Sequence, residues 1–220
     1  MLMSTDFKRR VCLALFSLFL GLCSTGASAA PRWSILVLGD SLSAEYGLPR
    51  GTGWVALLEQ KLHDEKINAQ VINASISGET TSGGLTRLPA LLRQHHPTHV
   101  VIELGANDAL RGLALSATQS NLTTLVRACK AARAKVLLVG MQMPPNYGKR
   151  YTQDFAGLYP TIAKSENVAL VPFFLKDVAD RPDARDWFQP DATHPVAKAH
   201  PIILGNVWLA LRPLLLGRQR

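Results

Sequence analysis

Ser34-Ile35-Leu36-Val37-Leu38 runs straight into Gly39-Asp40-Ser41-Leu42-Ser43. Five residues with no polar–apolar alternation have the pattern of a strand covered on both faces, which is the habit of parallel sheets. The glycine and polar side chains that follow mark a turn at its carboxyl end. Working outward, four more runs share the pattern: Ala69–Asn73, His99–Leu104, Lys135–Gly140 and Ala169–Phe173. Helical patterns fill the gaps near Gly53–Lys66, Gly84–Gln94, Ala117–Ala134, Gln153–Glu166 and Val196–Leu216, and Ser116 with Gln119 has capping-box spacing before the third. Strict strand–helix alternation predicts right-handed βαβ units and one doubly wound, three-layer α/β/α domain.

The composition agrees. The chain has 220 residues, 47% of them hydrophobic and 18% charged, which excludes a disordered or fibrous protein. A formal net charge of +8 leaves nucleic acid or an anionic surface open as partners, but part of it belongs to the N-terminus. Lys8, Arg9 and Arg10 precede the apolar run Val11–Leu22, and Ser24-Thr25-Gly26-Ala27-Ser28-Ala29 ends in an A-x-A pattern. That is the layout of a secretory signal peptide over residues 1–29, cleaved after Ala29, with the folded domain over 30–220. The apolar run is too short to span a bilayer, which takes about 20 residues, so no stable membrane anchor is expected. Cys12 and Cys23 leave with the signal. Cys129, alone in an Ala-rich helix, reads as a small buried hydrophobe.

In doubly wound sheets the ligand sits beyond the carboxyl ends of the strands. Polar and glycine residues gather there in this chain. Ser41 follows the first strand, where a strand-to-helix turn would present its hydroxyl near a helix N-terminus. A serine needs a base, and His194 in Asp191-Ala192-Thr193-His194-Pro195 is the candidate. Asp191, three residues back, is placed to accept the other ring N–H. Acyl transfer also needs donors for a developing oxyanion. Ser41 N–H, Gly78 after the second strand and the Asn107 amide after the third would supply them. Each block read singly is ordinary turn or capping chemistry; together, in this order and at these strand ends, they point to a site.

At these residues the sequence resembles a known family. Gly39-Asp40-Ser41-Leu42-Ser43, Gly78, Gly105-Ala106-Asn107-Asp108 and Asp191-Ala192-Thr193-His194-Pro195 match the four blocks of the SGNH (GDSL) hydrolases, across about 33–215. Asn73–Thr80, Arg87–Leu92, Glu103-Leu104-Gly105 and Pro145–Gly148 resemble its periplasmic thioesterase, protease and lysophospholipase branch in proteobacteria. The resemblance implies a flavodoxin-like, five-stranded parallel sheet in order 2-1-3-4-5. It implies Ser41 as nucleophile, His194 and Asp191 as base pair, and Gly78 and Asn107 as oxyanion donors. Ala106 departs from the pattern, which usually has a second glycine there.

The expectation is a periplasmic or secreted monomeric hydrolase of acyl esters and thioesters, lysophospholipids among them, with no cofactor, metal or nucleic acid. The alternatives are a carbohydrate O-acetyl esterase of the same fold, or a flavodoxin-like module binding an anion. An acyl chain needs an apolar groove beside Ser41; Leu110 in the loop after Asn107, and Met143, Pro145 and Tyr147 after the fourth strand, are the candidate lining. Gly51-Thr52-Gly53-Trp54-Val55-Ala56 does not directly follow a strand and carries no acidic partner, so dinucleotide binding is set aside. His95 and His96 suit a helix end better than a metal, and Arg127, Lys130 and Arg133 suit a solvated face better than a nucleic-acid stripe.

Overall fold

The computed structural model describes residues 32–217; the signal peptide read over 1–29 lies outside them. Five strands, β1 (Trp33–Gly39), β2 (Ala69–Asn73), β3 (His99–Glu103), β4 (Lys135–Val139) and β5 (Ala169–Val171), form one sheet. Its order is β2-β1-β3-β4-β5, all parallel, as expected. Burial explains why these runs were legible. Ile35, Leu36, Val37 and Leu38 are fully buried, and every residue of β3 is buried. Edge strand β2 stays partly exposed.

The helices are α1 (Trp54–Asp64), α2 (Thr81–His95), α3 (Ala106–Leu110), α4 (Leu115–Ala131), α5 (Lys149–Glu166) and α6 (His200–Leu216). Helices α2, α4 and α5 pack in sequence on one face, and α1 against α6 on the other. The Trp54 N–H donates to Nδ1 of His200 at 3.0 Å, pinning the start of α1 to the start of α6. Burial holds the His200 imidazole below its ordinary pKa, as its acceptor role requires.

Several boundaries differ from expectation, each for a local reason. Helix α2 starts at Thr81 instead of Gly84, because the Thr80 hydroxyl caps it by accepting the Gly83 N–H. The expected Ser116–Gln119 capping box does not form. Helix α4 begins before Ser116, and its N-cap, Ala114, makes no side-chain bond. Helix α5 starts a turn early, at Lys149, and Ala197–Ala199 forms a short 3₁₀ turn before α6. Two differences touch the site. Residues 41–47 are a series of turns, so Ser41 is not at a helix N-terminus; α1 begins only at Trp54. Asn107 lies in a short helix, α3, where a loop was expected.

Candidate active site

Ser41, His194 and Asp191 meet. The Ser41 hydroxyl lies 2.8 Å from Nε2 of His194, and Nδ1 of His194 lies 2.7 Å from Oδ2 of Asp191. A carboxylate can only accept, so Nδ1 carries the proton and Nε2 is left free to take one from Ser41. Asp191 is held by its own turn. Its Oδ1 accepts the backbone N–H groups of Thr193 (2.9 Å) and His194 (3.0 Å), with Ala192 left-handed at φ 54°. Partial burial alone would raise its pKa. The His194 and Thr193 N–H groups and the imidazole outweigh that and hold it at about 2.

Three N–H groups come from the strand end that carries Ser41 and from the neighbouring strand ends. The backbone N–H groups of Ser41 and Gly78 have no acceptor among the described residues. The Asn107 amide uses one N–H on Oδ2 of Asp40 at 3.0 Å and has a second to offer. Gly78 sits at φ 77°, a conformation glycine adopts without strain. Arg111, just past α3, donates to the Gly78 carbonyl at 2.8 Å and so ties the β2 loop to the helix bearing Asn107. Asp108 does the same from the other side, accepting the Thr81 N–H at 2.9 Å and the Thr81 hydroxyl.

The entry to α3 is equally constrained. Gly105 has φ 116°, and a Cβ there would lie 2.6 Å from the Tyr159 hydroxyl, which donates to the Leu104 carbonyl at 3.0 Å. Gly105→Ala is expected to cost about 1–3 kcal/mol in backbone strain, plus roughly 1 kcal/mol if the buried tyrosine bond breaks. A urea midpoint unchanged from the parent would show that this turn is not held as described.

Some contributors had no sequence signal. Tyr46, exposed in the turn after Ser41, stacks its ring on His194 with centroids 4.3 Å apart and planes tilted by 38°. The Gln189 amide donates to the carbonyls of Tyr46 (2.9 Å) and Pro195 (3.2 Å), clasping the serine turn to the histidine loop. Beneath Ser41, the Asp40 carboxyl is buried and its pKa rises to about 6. Desolvation drives the rise against the Leu42 N–H, the His194 charge and the Asn107 amide.

The groove candidates divide. Leu110 and Tyr147 are exposed, and Tyr147 stacks on Tyr151, whose hydroxyl reaches the Ala109 carbonyl at 3.0 Å. Met143 is only 6% exposed and joins the core. With Pro145 it lines a surface cavity of about 450 Å³ that also touches Lys149 and Gln153. Cys129 is buried and burial pushes its thiol up to about 12, so it is inert packing, as its sequence context suggested.

A hydroxyl, an imidazole and a carboxylate bonded in line at the carboxyl edge of a parallel sheet, with unused N–H donors beside the hydroxyl, form the arrangement of a serine hydrolase. The profile of the GDSL-like lipase/acylhydrolase family matches residues 37–202, and the chain belongs to that family. It is 49% identical over 186 residues to the esterase TesA of Pseudomonas aeruginosa, covering 84% of this chain and 91% of that one. Against the thioesterase 1/protease 1/lysophospholipase L1 of Escherichia coli K12 it is 44% identical over 200 residues, covering 90% and 91%. The crystal structure of the psychrotrophic esterase EstA from Pseudoalteromonas sp., inhibited by monoethylphosphonate, superposes with a TM-score of 0.77. It shares 46% identity over 83% of this chain and 98% of that one.

Proposed function

We propose that this chain is a periplasmic serine hydrolase that cleaves carboxylic esters and acyl thioesters, lysophospholipids included, through an acyl-enzyme on Ser41. The observation that carries the reading is the unbroken Ser41–His194–Asp191 line. Oγ of Ser41 attacks the acyl carbonyl carbon while Nε2 of His194 takes its proton. The carbonyl oxygen becomes an oxyanion facing the N–H groups of Ser41, Gly78 and Asn107. As the tetrahedral intermediate collapses, His194 returns the proton to the departing alkoxide or thiolate. Water then attacks the acyl-enzyme, His194 takes a proton from it, and the carboxylic acid leaves as Ser41 recovers its own. Asp191 stays ionised throughout and stabilises the imidazolium.

The relatives support the substrate class. By name one is an esterase, one a thioesterase, protease and lysophospholipase, and EstA is inhibited by a phosphonate. Leu110, Met143, Pro145 and Tyr147 would line the acyl groove. The reaction requires neither metal nor cofactor, and the residue 1–29 layout supports export.

A fluorophosphonate probe should label Ser41 stoichiometrically. A series of p-nitrophenyl esters should then show kcat/KM climbing a few-fold per CH₂, since each buried methylene contributes about 0.8 kcal/mol, before levelling off. Labelling elsewhere would overturn the nucleophile. A flat series from acetyl to octanoyl would overturn the groove and favour a small-acyl esterase.

A further inference from the structure

A second carboxyl lies under the site, and the reaction as proposed gives it no task. Glu103 is the last residue of β3, 3% exposed, in a run otherwise built of His99, Val100, Val101 and Ile102. Register places it opposite Gly39. Glycine is required there by space: a Cβ would sit 2.8 Å from Oε2 of Glu103 and 2.7 Å from the Ser43 hydroxyl. Oε2 accepts twice, from the Ser43 hydroxyl at 2.7 Å and from the Asp40 N–H at 3.3 Å. Ser43 can donate to Glu103 because its oxygen is occupied by the Trp54 indole N–H at 3.1 Å.

Asp40, on the other side, already accepts two donors and has lone pairs left for a third. Its Oδ1 accepts the Leu42 N–H at 3.0 Å and its Oδ2 the Asn107 amide. The Asp40 N–H on Oε2 of Glu103 holds the two carboxyls side by side, and each acts on the other's ionisation. Two carboxylates have no proton to share, so a bond between them needs one of the pair to be protonated. Asp40 accepts two N–H donors at 3.0 Å and lies near His194, whereas Glu103 accepts one hydroxyl and one longer N–H at 3.3 Å and no cation bonds it among the described residues.

We propose that Glu103 is a positioning residue for the oxyanion site: it stays protonated, donates to Asp40, and so fixes the Asp40 carboxylate that orients the Asn107 amide. The chain of donors is Trp54 to Ser43 to Glu103 to Asp40, with Asn107 donating into its far end. The titratable groups facing the pair are consistent with this. Burial pushes Glu103 well above the ordinary carboxyl range, and the Asp40 charge adds to it. The buried Tyr159 hydroxyl, which feels the charges of Glu103 and Asp40, brings no positive charge. His194 acts on Asp40.

This inference rests on the oxyanion role assigned to Asn107, and the test separates the two. Asn107→Ala should lower kcat about 10²–10³-fold with KM little changed; an unchanged kcat would sink the oxyanion reading itself. Glu103→Gln keeps a donor toward Asp40 and an acceptor for Ser43, and should keep kcat within about threefold. Glu103→Ala should lower kcat by at least about tenfold, and that loss should largely vanish in an Asn107→Ala background, the non-additivity expected of residues acting through one another. Losses that multiply in the double variant would overturn the proposal. A second readout needs no activity. At pH 8 the infrared carbonyl band of a protonated carboxyl should be present in the parent and absent from Glu103→Gln. Its absence from the parent, or a Glu103→Gln variant as slow as Glu103→Ala, would show that Glu103 works as an anion and overturn the proposal.

Discussion

Replacing Ser41 by alanine should lower kcat by up to about 10⁶-fold while the thermal midpoint stays near that of the parent. The hydroxyl is half-buried, and its one side-chain partner among the described residues is Nε2 of His194 at 2.8 Å. Removing it therefore opens little cavity and leaves an imidazole nitrogen that water can reach. The chemical loss is far larger, because among the described residues no other hydroxyl is bonded to the imidazole. Residual turnover should come from the N–H groups of Ser41, Gly78 and Asn107, which would still be available to the acyl oxygen. His194→Ala should cost nearly as much, and the double variant should be no slower than either single one, since base and nucleophile act as a unit. Steady-state kinetics with a short p-nitrophenyl ester check all three. A Ser41→Ala enzyme within tenfold of the parent, or singles whose losses multiply, would sink the assignment.

The parts of this molecule that were legible in the sequence are those where one short segment holds both cause and effect. Ile35–Leu38 and Val100–Ile102 read as strands because burial on both faces removes alternation, and that burial is observed. Asp191 and His194 could be paired from sequence because three residues and an Asx turn bring them together. Where cause and effect lie far apart, the sequence was silent or misleading. The first residue of α2, Thr81, is also held by Asp108, 27 residues on. Gln189 reaches back 143 residues to Tyr46, and Arg111 grips a loop 33 residues earlier. The first turn of α5, Lys149-Arg150-Tyr151-Thr152, shows no apolar periodicity, so its helix read one turn short. Glu103 was the exception with an unused signal. A carboxyl closing a fully buried strand is anomalous unless something pairs with it, and its neighbour, Asp40, sits next to Ser41.

The local pairing of Asp191 with His194 also makes the second large effect computable from geometry. Asp191→Asn should lower kcat about 10⁴-fold at neutral pH, with KM and the folded structure little altered. The reason is an atom count. Oδ1 of Asp191 accepts two backbone N–H groups, from Thr193 and His194, so an asparagine keeps its oxygen there and turns its NH₂ toward Nδ1 of His194. That nitrogen, now facing a donor, must become the acceptor, and the ring proton moves to Nε2. Nε2 then donates to Ser41 where it should accept, and the base is lost although every heavy atom stays in place. Asp191→Ala removes the wrong donor as well as the right acceptor, so the imidazole is free to adopt either tautomer. Its loss should be smaller than that of the near-isosteric asparagine. The carboxylate is also held ionised down to about pH 2, so it does not contribute an acid limb to the activity profile above pH 4. Rates for the two variants at pH 8 settle the order. An asparagine variant faster than the alanine one would show that Asp191 serves to hold the ring in place and not to select its tautomer.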